Sequence, residues 1–156
     1  MDGIDRKILA VLQSNAEVTL SDLAKRVALS QTPCWNRIQK LEKNGTLLKR
    51  VALLDPDKLG LRLTVFVQIE TGDHSASWLE NFARIVSAMP EVMEFYRMAG
   101  EVDYLLRVVV PDLEAYEFFA ERLADSVQLR KLTPLFTSER IKSTTAYFTQ
   151  YSAQAR

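Results

Sequence analysis

The stretch Ser30-Gln31-Thr32-Pro33-Cys34-Trp35-Asn36-Arg37-Ile38-Gln39-Lys40-Leu41-Glu42-Lys43-Asn44-Gly45 decides the fold of the opening part of the chain. Ser30 is a helix N-cap residue, Pro33 fits a first turn that has no partner for its missing N–H, and Gly45 is a stop signal. On a wheel of 100° per residue Cys34, Ile38 and Leu41 share one narrow stripe. Thr32, Asn36, Gln39, Lys40 and Lys43 lie around the opposite side, so one face can be buried while the other touches something else. Upstream, Ala28-Leu29-Ser30 follows a short apolar pattern over Leu20–Val27, with Thr19 and Asp22 at capping spacing. A first helix begins at Asp2, with Asp5 three residues on, and carries Ile4, Ile8, Val11 and Leu12 to about Ser14. Two short helices joined by a three-residue turn, the second with a polar and basic outer face, form the helix-turn-helix pattern, whose second helix enters the DNA major groove. Thr32, Asn36 and Gln39 suit base edges, while Lys40, Lys43, Lys49 and Arg50 suit phosphates. Downstream, Leu47–Leu54 ends at the turn Asp55-Pro56-Asp57 and is predicted to form a two-stranded wing.

The charge balance first argues against this reading and then for it. Among 156 residues, Lys+Arg and Asp+Glu number 20 each. Divided after Arg62, the first part holds 11 Lys/Arg against 7 Asp/Glu and the second 9 against 13, that is +4 and −4. Between Gln31 and Arg50 the residues Arg37, Lys40, Lys43, Lys49 and Arg50 face only Glu42. A helix that merely keeps its outer face wet has no need of such one-sidedness, whereas a phosphate-facing helix does. Cys34 sits in a first helical turn, where a thiol pKa can fall. Its place on the stripe with Ile38 and Leu41 assigns it to packing instead.

The remainder reads strand, helix, strand, strand, helix, strand. Leu63, Val65, Val67 and Ile69 alternate with polar residues, interrupted by Phe66, up to Thr71-Gly72-Asp73. Trp78, Leu79, Phe82, Ile85, Val86 and Met89 form a helical stripe closed by Pro90. Val92–Ala99 and Tyr104–Val110 are strand-like runs separated by Gly100-Glu101-Val102-Asp103, a hairpin. A second stripe of Leu113, Tyr116, Ala120 and Leu123 precedes a last strand at Leu132–Thr137. The order β-α-β-β-α-β is the split βαβ arrangement, with helices on one sheet face. The other face needs a cover, and a second copy of the chain is the simplest one. The fold class is therefore α+β: a winged helix-turn-helix domain over residues 1–62 (helix-turn-helix about 20–39, wing and connector 46–62), then a ferredoxin-like domain over 63–156.

In order and spacing these pieces resemble the Lrp/AsnC family of leucine- and asparagine-responsive regulators. The residues that carry the resemblance are Ile4-Asp5-Arg6-Lys7-Ile8-Leu9, Leu23-Ala24-Lys25-Arg26-Val27, Leu29–Cys34, Arg37–Gly45, Ala52–Pro56 and Gly100-Glu101-Val102-Asp103-Tyr104-Leu105-Leu106. The resemblance implies a transcriptional regulator that binds operator DNA, with Gln31, Trp35 and Arg37 joining the contacts above. It further implies a homodimer that builds an octamer and takes a small amino acid between dimers at Met98, Ala99, Gly100, Glu101, Val102, Asp103 and Tyr104. Asp103 is chemically apt for the ammonium group, and backbone N–H groups near Gly100 for the carboxylate. Leu135, Thr137 and Ser138 join the same expected pocket, in a segment where Leu135 and Ser138 depart from the common family form. From spacing alone, Gly100–Asp103 reads rather as an ordinary hairpin turn, and only the resemblance makes it a ligand loop.

One Cys and one His exclude a disulfide and a histidine metal site within the chain. No cofactor or metal is expected, and the amino acid enters only as an effector. Nothing near Met1 reads as a secretion signal, and no run approaches a membrane span of about 20 residues, so a reducing cytoplasm and no membrane partner are expected. An enzyme on the ferredoxin-like sheet would need a nucleophile beside a base, and His74 and Cys34 stand far apart in the sequence. The competing class is an amino-acid sensing or DNA-architectural module without operator preference.

Overall fold

Asp2 opens the first helix, α1 (Gly3–Ser14): its carboxylate accepts from the N–H groups of Ile4 and Asp5, and the Asp5 side chain accepts from the N–H of Asp2. This reciprocal cap satisfies amides that have no partner inside the helix. Thr19 caps α2 (Leu20–Arg26) through the N–H of Asp22. Between α2 and α3 (Gln31–Lys43) the chain passes through Ala28 in the left-handed region, φ 56°. Ser30 occupies the N-cap of α3, but its hydroxyl makes no capping bond there. Ile8, Leu9, Leu12, Leu23, Ala24, Val27, Cys34, Ile38 and Leu41 form the core these three helices share. Cys34 packs fully buried in this core, and burial raises its thiol pKa.

The computed structural model describes residues 1–149, which fall into two units. One comprises Met1–Leu53 together with the chain from Lys142 onward; the other is Leu54–Ile141. This division departs from the expected cut at Arg62 at both ends. The later segment joins the first unit because the Gln13 amide pairs both ways with the Tyr147 backbone, Nε2 donating to O at 3.0 Å and Oε1 accepting from N at 2.6 Å. An extended segment has backbone groups to satisfy, and a primary amide presents the matching donor and acceptor.

The wing is a correction. Residues 47–54 form no strand, and Leu48, Val51, Leu53 and Leu54 are exposed, so this largely aliphatic run lacks a ladder partner. A 3₁₀ turn at Asp57–Leu59 follows, closed by Gly60 at φ 77°.

In the second unit β1 (Leu63–Glu70), α4 (Ala76–Ser87), β2 (Val92–Arg97), β3 (Tyr104–Val110), α5 (Leu113–Ser126) and β4 (Lys131–Phe136) appear in the expected order. The strands make one antiparallel sheet ordered β2-β3-β1-β4. β2 stops at Arg97, two residues before the expected Ala99, and carries a bulge between Val92 and Glu94. Val65, Val67 and Ile69 with Tyr104, Leu106, Val108 and Val110 face Phe82, Val86, Phe119 and Leu123 of the helices. Phe66, which breaks the alternation, belongs to the other face. There it lies beside Leu135, with Leu105 and Val109 of β3 on the same side.

Candidate nucleic-acid interface and effector loop

The buried stripe of α3 leaves Gln31, Thr32, Trp35, Asn36, Gln39, Lys40 and Lys43 exposed, with Lys49 and Arg50 exposed just beyond the helix. Asn36 and Lys40 also line a cleft of about 580 Å³ whose other walls are Met1, Asp2, Asp5, Pro33 and Arg37. Gln39 donates to Glu42 at 2.9 Å, and Arg50 lies 3.8 Å from the same carboxylate. Arg37 is committed elsewhere: its Nη1 donates to Asp2 at 2.6 Å and to Asp5 at 2.8 Å. The cap of α1 thereby ties the first helix to the outward-facing one. The sequence shows the Asp2–Asp5 cap but not its second use. The available signal was the place of Arg37 at the edge of the buried stripe, three residues after Cys34 and one before Ile38.

The Asp5 N–H and then Arg37 hold the Asp2 carboxyl at about pKa 2. For Asp5, burial pushes upward, but the Asp2 N–H and the Arg37 guanidinium outweigh it and the net direction is down. Both folded values lie below the unfolded value near ~3.9. The stabilisation is therefore complete above that pH and is lost as pH falls through about 2. Arg37→Gln is expected to shift acid melting of the helical unit to higher pH, followed by circular dichroism. An unchanged acid midpoint would contradict the tie.

On the sheet unit, the loop Met98–Asp103 joins β2 to β3. Asp103 anchors it: its N–H donates to Ile69 at 3.0 Å, its carbonyl accepts from Met98 at 2.8 Å, and Oδ2 accepts from the Thr71 N–H at 2.8 Å. Oδ1 faces His74 at 3.7 Å. One carboxylate oxygen thus anchors the loop, and the other is turned to the His74 side. Met98, Ala99, Gly100 and Glu101 are exposed, Val102 is half-buried, and Tyr104 is turned into the core beside Trp78, Phe82 and Phe95. Leu135, Thr137 and Ser138 lie elsewhere. Thr137 donates twice to the Thr64 carbonyl at the start of β1, whereas Tyr104 pairs with Ile69 near its end. Five steps of strand separate the two groups by roughly 17 Å. A single chain does not join them in one pocket.

The family model for the AsnC-type helix-turn-helix domain matches residues 1–42, and that for the Lrp/AsnC ligand binding domain matches residues 64–147. The chain belongs to the Lrp/AsnC family. It is 50% identical over 147 residues to the DNA-binding transcriptional activator DecR of Escherichia coli, covering 94% of this chain and 97% of DecR. To the glutamate uptake regulatory protein of Zymomonas mobilis it is 43% identical over 145 residues, covering 93% and 88%. A crystal structure of an AsnC family transcriptional regulator from Agrobacterium tumefaciens superposes with TM-score 0.92 at 53% identity, covering 94% of this chain and 96% of that one. The transcriptional regulator NMB0573 of Neisseria meningitidis, solved as an L-Met complex, gives 0.91 at 34%, covering 96% and 97%. This Lrp/AsnC protein is thus a DNA-binding transcriptional regulator with an attached ligand-binding domain, in a family of regulators.

Proposed function

We propose that operator affinity or assembly is set by a small amino acid held at the Met98–Tyr104 loop of one subunit and by Leu135, Thr137 and Ser138 of another. The observation that carries this is their placement at opposite ends of one sheet, which leaves a second copy to unite them. Asp103 Oδ1 takes the ammonium, and backbone N–H groups around Gly100 take the carboxylate. The relatives support the ligand class: one is named for glutamate uptake and one was solved with L-Met. A thermal-shift panel of the twenty amino acids, with gel shifts on operator and random DNA, tests the reading. A ligand that raises the melting temperature and changes operator binding supports it. Equal binding to operator and random DNA would favour an architectural role.

On α3 the proposed division is Thr32 and Asn36 to base edges and Lys40, Lys43, Lys49 and Arg50 to phosphates, with Gln31, Trp35 and Gln39 along the groove. Asn36→Ala is expected to cost about 1–3 kcal/mol of discrimination at one operator position. Lys43→Ala is expected to weaken all sequences alike and flatten the log–log salt slope by about one unit. Binding titrations on an operator panel at several salt concentrations separate the two, and exchanged effects would overturn the assignment.

The helix-free sheet face bears exposed Tyr96 and Leu135 beside partly buried Phe66, Leu105 and Val109. A second copy covers this face in the proposed homodimer, and the effector sites form where dimers meet in a larger ring such as an octamer. Val109→Asp is expected to move the sedimentation equilibrium towards monomer. An unchanged association state would place the interface elsewhere. Binding to chromosomal operators sets the site of action in the cytoplasm.

A further inference from the structure

Two carboxylates stand beside the residues assigned to DNA, where phosphates would repel them. Asp2 and Asp5 line the same cleft of about 580 Å³ as Asn36 and Lys40. Their place is fixed by α1, whose reciprocal cap uses both side chains. Both carboxyls are held below the usual range and are therefore charged at neutral pH. The cap of the first helix thus puts two negative charges next to one proposed base contact and one proposed phosphate contact, and a local charge of that sign works against an approaching backbone.

Arg37 answers both of them, Nη1 donating to Asp2 at 2.6 Å and to Asp5 at 2.8 Å. Lys40 follows Arg37 by three residues on the same helix and lines the same cleft, yet it has no ion-pair partner within 4.0 Å among the described residues. Residues at that spacing are neighbours on a helix surface, so the two cations compete for the same two anions. The planar guanidinium, with several donors in a fixed fork, suits two carboxylates at once, whereas an ammonium is a single mobile point charge. The competition leaves the ammonium over.

We propose that Arg37 is a positioning residue for DNA binding that does not itself touch DNA: by occupying both cap carboxylates it keeps the Lys40 ammonium free for a backbone phosphate. This role rests on the α3 assignment above, in which Lys40 is a phosphate contact. Without the guanidinium, two unpaired carboxylates on the same wall draw the Lys40 ammonium to themselves. The protein then loses a phosphate contact although no contacting residue has been changed. The resemblance to the family implies the opposite place for Arg37, among the DNA contacts.

The test titrates full-length variants against a fluorescein-labelled random-sequence duplex at several salt concentrations, since phosphate contacts carry no sequence information. One such contact is worth about one unit of log–log salt slope, which near 0.1 M salt is roughly tenfold in affinity. Lys40→Ala is expected to show that loss, and Arg37→Gln the same loss and the same change of slope. Adding Lys40→Ala to Arg37→Gln is expected to cost less than about twofold more, whereas adding Lys43→Ala costs its full factor of roughly ten. Asp2→Asn with Asp5→Asn, which keep an oxygen for each cap, are expected to return Arg37→Gln to within about twofold of the unaltered chain. In that triple variant Lys40→Ala again costs its full factor, so the triple variant alone carries the test if circular dichroism shows that Arg37→Gln does not fold. Losses that add for Arg37 and Lys40, or an Arg37→Gln loss that the two asparagines leave in place, would overturn the proposal and make Arg37 a DNA contact, with the α3 assignment intact. Unchanged binding in Arg37→Gln would overturn it too. No effect of Lys40→Ala in the unaltered chain would remove both the proposal and the assignment of Lys40.

Discussion

Phe82→Ala is expected to lower the stability of the sheet unit by about 3–5 kcal/mol, the cost of emptying a packed aromatic site. Phe82 is fully buried and touches rings on three sides: Trp78 at 4.8 Å, and Phe95 and Tyr104 each at 5.3 Å. These rings come from α4, β2 and β3, so no single neighbour can move in to fill the space. Tyr104 directly follows Asp103, and the cavity therefore loosens the residue on which the effector loop is mounted. The helical unit has its own core and should keep its melting transition. Calorimetry with circular dichroism would show the sheet transition falling alone. A single transition shifted as one would mean that the two cores unfold together.

Asp103 carries the second large expectation, and its two oxygens allow two functions to be separated. Asp103→Asn keeps an oxygen for the Thr71 N–H but removes the charge offered to an ammonium group. Amino-acid affinity at the effector site is expected to fall by about 1.5–3 kcal/mol, roughly ten- to a hundredfold, with little change in melting temperature. Asp103→Ala removes the loop anchor as well and is expected to abolish the amino-acid response while the dimer survives. Because the site is proposed to span two subunits, mixing Asp103→Asn chains with chains altered at Ser138 should restore a fraction of intact sites. Isothermal calorimetry on refolded mixtures reads that fraction. Failure to recover any binding would remove the shared-site assignment.

Much of the fold was legible because period and punctuation agreed. The Asp2–Asp5 cap, the Cys34–Ile38–Leu41 stripe and the alternation in Leu63–Glu70 each have a local cause, and each was found where it was expected. The wing failed because an aliphatic run such as Leu47–Leu54 forms a strand only when another strand is present to pair with, and among the described residues none pairs with it. The turn between α2 and α3 carries no glycine to mark it, since Ala28 adopts the left-handed conformation there. The site was legible by residue type and not by geometry. Nothing local says that Arg37 answers two carboxylates on α1, that half of the Asp103 carboxylate is spent on Thr71, or that Thr137 and Tyr104 stand at opposite ends of one strand. Those facts depend on contacts between residues 30 or more positions apart.

The return of the chain from Lys142 to α1 makes the sheet unit an insertion within the helical one. Divided by these units, the charges become 11 Lys/Arg against 5 Asp/Glu and 9 against 15, a wider separation than any single cut at Arg62 gives. A chimaera that transplants this DNA-binding head by joining residues 1–62 to a foreign sensor would leave part of the head behind. A faithful graft has two junctions, with the new sensor spliced between Leu53 and Lys142 so that Gln13 still finds Tyr147.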